Sequence, residues 1–156
     1  MATAMTMREY LRSHDVDYEE VKHPHAVTAT RIAKQSHIAG DHLAKAVLLK
    51  GESGYCVAVI PSTCRADLGR LSRILQEPVD LATEKEINDQ FKDCDLGALP
   101  PLGQAYGLPV CMDDRLQEQP DIYFEAGDHE TLIHMSGKEF ARLMADVEHG
   151  QFGKRA

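Results

Sequence analysis

The sequence LAKAVLLKGESGYCVAVIP, residues 43–61, predicts a β-hairpin at the centre of the fold. Two apolar runs are separated by Gly51-Glu52-Ser53-Gly54, a pattern typical of a hairpin turn. Side chains alternate between the two faces of a strand, so the face that carries Lys45 also carries Leu43, Val47 and Leu49. Lysine is seldom fully buried. Lys45 therefore either extends its ammonium group to water along an apolar stem or serves a function.

Short helical and extended patterns surround this hairpin. Apolar spacings of three and four residues predict helices over residues 6–14, 67–76, 83–91 and 136–147, and threonines 28 and 30 can cap another helix that ends near Gly40. Two of these helices begin with capping boxes, which are Thr83 with Glu86 and Ser136 with Glu139. Extended segments are predicted at 18–21, 78–82 and 109–112, with a second hairpin over 122–135.

These elements follow one another without a regular βαβ repeat, which predicts an α+β fold with a mixed, mostly antiparallel sheet and flanking helices. With 156 residues the chain fits one domain, over residues 1–156, and its last residues, 148–156, read as a frayed polar tail. The hydrophobic fraction of 43% and charged fraction of 27% are those of an ordinary globular protein.

Charge and hydropathy limit the partners of the protein. The net charge of -8 argues against a broad DNA- or RNA-binding surface, although a local positive site for the end of an RNA strand remains compatible with it. The apolar runs are too short to cross a bilayer, and the first residues lack the pattern of a signal peptide. We therefore expect a cytoplasmic protein without a membrane partner.

The cysteines and histidines do not predict a metal site. The cysteines lie far apart and form no C-x-x-C pair, so we expect free thiols at Cys56, Cys64, Cys94 and Cys111. A stretch rich in histidine suggests a metal alternative, but it lacks H-x-x-x-H spacing and an accompanying group of carboxylates; its members are His23, His25, His37 and His42. We expect neither a metal nor another cofactor.

The loop Gly97-Ala98-Leu99-Pro100-Pro101-Leu102-Gly103 is the second candidate for function. Glycine at each end allows close approach of a ligand to the backbone, while consecutive prolines stiffen the loop. Its amide N–H groups are therefore suited to bind a carbonyl or phosphate oxygen. A surface turn is the alternative. His129, beside Gly127 in the second hairpin loop, is the third candidate, with a solvated loop histidine as its alternative.

Together these segments resemble the YbaK/ProX family of aminoacyl-tRNA deacylases, freestanding relatives of the editing domain of bacterial prolyl-tRNA synthetase. The resemblance extends from about Val21 to Met144. Its most specific elements are Ala44-Lys45-Ala46-Val47-Leu48, Gly97-Ala98-Leu99-Pro100-Pro101, Tyr106-Gly107-Leu108-Pro109-Val110, and Ala126-Gly127-Asp128-His129 leading to Lys138-Glu139-Phe140.

The resemblance implies a function and a set of site residues. Members of this family hydrolyse, without a metal, the ester that joins a wrong amino acid, usually a small one, to the 3′ end of tRNA. By resemblance the catalytic residues are Lys45, Gly97 and His129, and the substrate-binding residues are Ala98, Leu99, Pro100, Pro101, Gly103, Val47, Gly127 and Asp128. The implied partners are aminoacyl-tRNA and, as a further candidate, an aminoacyl-tRNA synthetase.

The residues are compatible with this chemistry. An aminoacyl ester is already activated, so positioning and electrostatic stabilisation can suffice for its hydrolysis. For the apolar wall of a small substrate pocket, proximity to the motifs suggests Val47, Leu99, Leu102 and Ile133. Two alternatives remain open: a non-catalytic module that binds the end of tRNA or a synthetase, and a regulator that binds a free amino acid.

Overall fold

A computed structural model describes residues 4–23 and 38–155 and confirms the central hairpin. The strands are β1 (Glu19–Lys22), β2 (Leu43–Gly51), β3 (Gly54–Pro61), β4 (Cys64–Ala66), β5 (Val79–Leu81), β6 (Val110–Asp113), β7 (Asp121–Glu125), β8 (Thr131–Ser136), β9 (Glu148–Gly150) and β10 (Gly153–Arg155). The helices are α1 (Met5–Ser13), α2 (Leu68–Leu75), α3 (Glu84–Gln90) and α4 (Gly137–Leu143).

The described residues form an eight-stranded mixed sheet with the order β1-β8-β7-β2-β3-β6-β9, in which β5 also pairs with β2. Strands β2 and β3 pair antiparallel from Ala44 with Pro61 to Gly51 with Gly54. At its start β2 also pairs with β7, in parallel, through Leu43 and Ala44. The two hairpins thus join next to Lys45, and the α+β fold with a mixed, mostly antiparallel sheet is confirmed.

The two faces of the central hairpin pack into different parts of the core. Ala44 and Leu48 contact the larger apolar cluster, whereas Leu49 belongs to a second cluster on the opposite face. Because side chains alternate, Lys45 points to the same face as Leu49. Helix α1 covers the larger cluster with Met7 and Leu11, which are both fully buried.

The caps of the helices confirm one sequence prediction and modify another. Thr83 and Glu86 form the predicted capping box, with reciprocal hydrogen bonds of 2.9 and 3.2 Å. Ser136 Oγ accepts from the Glu139 N–H at 3.2 Å, but the Glu139 carboxylate accepts from the Asp17 N–H and from Arg142 instead of closing a second box. Tertiary contacts thus compete for the Glu139 side chain.

Two predictions near the carboxyl end are wrong. Helix α4 ends at Leu143, earlier than the apolar spacing suggests. The tail at 148–155 is not frayed, because β9 pairs with β6 and β10 pairs with β4. Phe152 is fully buried between these strands, and the N–H groups of Phe152 and Gly153 donate to the buried Asp113 carboxylate at 3.0 and 2.7 Å. Burial of Phe152 and the two hydrogen bonds to Asp113 thus order a segment whose composition is mostly polar.

The helix predicted after residues 28 and 30 lies outside the described residues. The four cysteines are free. Among the described residues, none of the helices has the length and apolar character that a membrane span requires.

Candidate active site

The start of β2 and the loop before residue 100 line a small cavity. Its volume is about 170 Å³, and its lining consists of Leu43, Ala44, Lys45, Ala46, Gly97, Leu99 and Glu125. Of the predicted site residues, Lys45, Gly97 and Leu99 therefore come together, although more than 50 residues separate Lys45 from the loop in sequence. Glu125, at the end of β7, joins them.

Lys45 is half-buried at the edge of this cavity and forms no ion pair with the described residues. Burial lowers the pKa of its ammonium group, and a weaker interaction with Cys64 opposes that change. Lys45 also lines a second, apolar depression of about 330 Å³, together with Val47, Ile60, Arg65, Ala66, Leu68 and Leu81. Lys45 thus contributes to the lining of two neighbouring spaces.

The loop contributes Gly97, a residue without a side chain, to the lining of the cavity. Gly97 has a φ of 84°, in the left-handed region that favours glycine. The loop is held at the Ala98 N–H, which donates to the Asp95 carbonyl at 3.0 Å, and at the Asp95 N–H, which donates to the Gly127 carbonyl at 2.7 Å. Among the hydrogen bonds of the described residues, the amides of Gly97 and Leu99 do not act as donors. The loop therefore leaves these two N–H groups out of its own hydrogen bonds.

His129 lies behind the cavity rather than in its lining. Its Nε2 is 2.6 Å from the Leu96 carbonyl oxygen, and because a carbonyl only accepts, Nε2 carries the hydrogen. Its Nδ1 lies 3.3 Å from Glu125 Oε2. The imidazole therefore connects the loop at Leu96 with the acid that faces the cavity.

Glu125 is a site residue that the sequence analysis did not identify. Its side chain is almost fully buried, Oε1 lies 3.9 Å from His23 Nε2, and burial followed by the charge of Asp128 raises its pKa to about 8. Perturbed acids in small cavities are typical of functional sites. One feature of the sequence could have identified Glu125: it is an acid that directly follows the apolar strand residues Ile122-Tyr123-Phe124.

Asp128 and Gly127 support the site through the backbone. Asp128 accepts from the N–H groups of Glu130 and Thr131 at 2.9 and 2.8 Å and from Thr131 Oγ1 at 3.0 Å. Burial opposes ionisation of Asp128, but these hydrogen bonds outweigh it and hold the pKa below its usual value. At Gly127, where φ is 110°, a Cβ would lie 3.0 Å from the Cβ of Ala4.

The remaining predicted residues lie around the cavity rather than in it. Ala98, Pro100 and Pro101 are buried loop residues that do not line the cavity, and Val47 lines only the apolar depression. Gly103 packs against Val57 and Val110, where a Cβ would lie 2.7 Å from Val57 Cγ2. Leu102 and Ile133, predicted as wall residues, are fully buried in the larger apolar cluster and do not line the cavity.

The structure has larger pockets elsewhere. An open groove of about 760 Å³ has Asp146 and Glu148 in its lining but no lysine or arginine among the described residues that form it. Within the described part of the chain, no three potential ligand side chains come close enough together to hold a metal ion. Two histidines of the predicted metal alternative, His25 and His37, lie outside the described residues.

Comparisons with known proteins agree with this fold. A curated set of proteins gives no match to the sequence. Among solved structures, one described as a "putative trans-editing enzyme for prolyl tRNA synthetase" superposes with a TM-score of 0.82 at 22% identity, covering 96% of this chain and 95% of that chain. The hypothetical protein APE2540 superposes with a TM-score of 0.85 at 16% identity, covering 96% of this chain and 99% of that chain. These likenesses show a shared fold.

A family model provides the stronger evidence, because it matches most of the sequence. The model describes the aminoacyl-tRNA editing domain, and the match covers residues 23–143. This range includes β2, the loop at Gly97 and the hairpin that carries Glu125 and His129. The chain belongs to the aminoacyl-tRNA editing domain family.

Proposed function

We propose that the protein hydrolyses the ester between a small amino acid and the 3′ end of tRNA, releasing free amino acid and tRNA. The observation that carries the proposal is that Lys45 lines both a small cavity and an apolar depression. Membership of the editing family supports the general activity.

The volume of the cavity favours a small aminoacyl group. At about 170 Å³ it is smaller than the roughly 300 to 1,000 Å³ of sites that bind drug-sized ligands. Alanine, serine and cysteine are the expected aminoacyl groups. A missing methylene group changes binding by only about 1 to 3 kcal/mol, so the cavity should select mainly by excluding larger side chains.

The apolar depression is suited to the terminal nucleoside. Val47 and Leu68 provide an apolar surface for a base, and Arg65 at its edge can pair with a phosphate. In this arrangement the ribose ester lies beside the Lys45 ammonium group, with the amino acid on one side and the nucleoside on the other. A local site of this kind is compatible with the net charge of -8.

The reaction requires no protein nucleophile. Water adds to the ester carbonyl carbon, the acyl carbon to ribose oxygen bond then breaks, and the ribose oxygen takes up a proton. The N–H groups of Gly97 and Leu99 and the Lys45 ammonium group stabilise the oxyanion, and one such donor is worth about 3 kcal/mol in the transition state. A bound phosphate also favours the charged form of Lys45, against the effect of burial.

His129 serves in this proposal as a positioning residue. Its hydrogen bond to the Leu96 carbonyl oxygen fixes the residue that precedes Gly97. Three other predicted binding residues are buried in the same loop and fix the conformation of its backbone; they are Ala98, Pro100 and Pro101. Asp128 orders the hairpin loop that carries His129.

A deacylation panel tests the proposal. tRNAs charged with labelled alanine, serine, cysteine, valine and leucine are incubated with the protein, with and without an aminoacyl-tRNA synthetase, and release of the amino acid is followed in time. We expect catalytic release of one or more of the three small amino acids. Tight binding of the tRNAs without release would support a non-catalytic module, and binding of free amino acid alone would support a regulator.

A further inference from the structure

The Glu125 carboxyl group is a buried acid whose residue lines the small cavity but not the apolar depression. Its residue is 8% exposed, and it lines the cavity that Lys45 and Leu99 also line. His129 Nδ1 and His23 Nε2 approach its two oxygens to 3.3 and 3.9 Å. Neither carboxyl oxygen, however, forms a hydrogen bond with the described residues. A buried acid without hydrogen bonds is costly unless a ligand supplies them.

We infer that Glu125 binds the α-ammonium group of the aminoacyl ester, so that the enzyme requires a free α-amino group on its substrate. The inference rests on the proposed function and adds the chemical group by which the amino acid is recognised. An aminoacyl ester carries its ammonium group on the carbon next to the reacting carbonyl. In a cavity of about 170 Å³, a carbonyl held at Gly97 and Leu99 leaves that ammonium group within the same small space as Glu125.

The charged groups near Glu125 are compatible with its binding an ammonium group. His23 follows β1, His129 and Asp128 belong to the loop after β7, and Lys45 is on β2. The Asp128 oxygens are already occupied by the N–H groups and hydroxyl of its own loop. Lys45 forms no ion pair with the described residues, although it lines the same cavity. Glu125 is therefore the acid that a cationic ligand in this cavity meets.

Proton affinities support the pairing. Burial, followed by the charge of Asp128, raises the pKa of Glu125 to about 8. An α-amino group has a pKa of roughly 7.7 to 8.0. Because the two pKa values are similar, the shared proton can reside on either group at little cost in free energy. The bound pair is then either an ammonium group with a carboxylate or an amine with a carboxylic acid. An ester without an amino group cannot provide this match.

Three esters on the same tRNA test the inference: alanyl, lactyl and N-acetylalanyl. Lactyl-tRNA replaces the ammonium group by a hydroxyl of similar size, so it separates charge from volume. N-acetylalanyl-tRNA has neither the charge nor the small size. Each enzymatic kcat/KM is divided by the rate of uncatalysed hydrolysis of the same ester, because the ammonium group itself activates the carbonyl.

We expect the normalised kcat/KM for lactyl-tRNA to be roughly 10- to 100-fold below that for alanyl-tRNA, the effect of losing one hydrogen bond to a charged group. N-acetylalanyl-tRNA should be cleaved still more slowly. Equal normalised rates for alanyl and lactyl esters would overturn the inference and leave the proposed function intact. No hydrolysis of any aminoacyl ester would overturn both.

The variant Glu125→Gln assigns the preference to this residue. Glutamine has the same shape without the negative charge, so the ratio of alanyl to lactyl rates should fall close to one. A purely structural role of Glu125 would lower both rates and keep their ratio. Glu130→Gln, in the same hairpin loop and outside the cavity lining, is the matched control and should keep the full ratio. The comparison of the three esters on the unmodified protein holds even if Glu125→Gln does not fold.

Discussion

The imidazole of His129 connects the loop at Leu96 with the acid at Glu125. Its Nε2 donates to the Leu96 carbonyl oxygen at 2.6 Å, and its Nδ1 faces Glu125 Oε2 at 3.3 Å. With the hydrogen on Nε2, Nδ1 is the ring atom nearest the Glu125 carboxyl group. Burial, followed by the charge of Asp128, raises the pKa of Glu125 to about 8. Two segments far apart in sequence are thus held together at the edge of one cavity.

Lys45→Ala should remove activity without unfolding the protein. The substrate loses a cation beside its phosphate and oxyanion, and kcat/KM should fall by roughly 100-fold or more. Loss of a half-buried ammonium group from an apolar strand should leave the thermal midpoint unchanged or slightly higher. Lys50→Ala is the matched control, since Lys50 is on the same strand but exposed and paired with Glu86 at 2.9 Å. Near-normal deacylation by Lys45→Ala would remove the lysine from the site.

Gly97→Ala should lower both stability and activity. At a φ of 84° an alanine costs about 1 to 2 kcal/mol, and relief of this strain moves the amides at the cavity mouth. Gly107→Ala introduces comparable strain at a φ of 74°, where an added Cβ has nothing within 4 Å. The two variants should lose similar stability in urea unfolding, whereas only Gly97→Ala should lower kcat. Equal activity of the two would show that the loop backbone does not contact the substrate.

Leu99→Ala should widen the range of amino acids that are removed. Leu99 is 7% exposed and lines the cavity, so its truncation enlarges the space for the aminoacyl side chain. We expect faster release of valine or leucine relative to alanine, with a loss of about 2 to 5 kcal/mol in stability at most. Leu96→Ala, in the same loop but 40% exposed, should keep the original selectivity. An unchanged profile for Leu99→Ala in the deacylation panel would argue against selection by size.

Glu125→Gln should make stability less dependent on pH. Burial raises the pKa of Glu125 from 4.5 to about 8, so the folded protein binds more protons than the unfolded chain between these values. The free energy of unfolding therefore falls as pH rises through this window, by about 1.4 kcal/mol for each pH unit at most. Glutamine does not titrate and avoids this loss.

Thermal midpoints at pH 5 and pH 9 test this prediction. The variant and the unmodified protein should be similar at pH 5, and the variant should be more stable by several degrees at pH 9. The groups that face Glu125, which are His23, His129, Asp128 and Lys45, are present in both proteins, so their titration cancels in the comparison to first order. A difference that is the same at both pH values would contradict a buried acid with a raised pKa.

The local patterns of the sequence determined most of the elements. The hairpin over residues 43–61 and the capping box of Thr83 with Glu86 depend on neighbours within a few residues, and both form as the pattern predicts. The alternation of strand side chains likewise placed Lys45 on an apolar face. Lys45, Gly97 and Leu99, chosen from the sequence, line one cavity.

Only the tertiary structure decided which side chains share that cavity and which segments are ordered. Glu125 reads in sequence as one more strand residue, and its burial beside His23 and His129 arises from the pairing of β1, β7 and β8. Residues 148–155 read as a polar tail, yet Phe152 and the buried Asp113 carboxylate order them. Burial and long-range hydrogen bonds join residues far apart in the chain, and it is burial that raises the pKa of Glu125 and lowers that of Lys45.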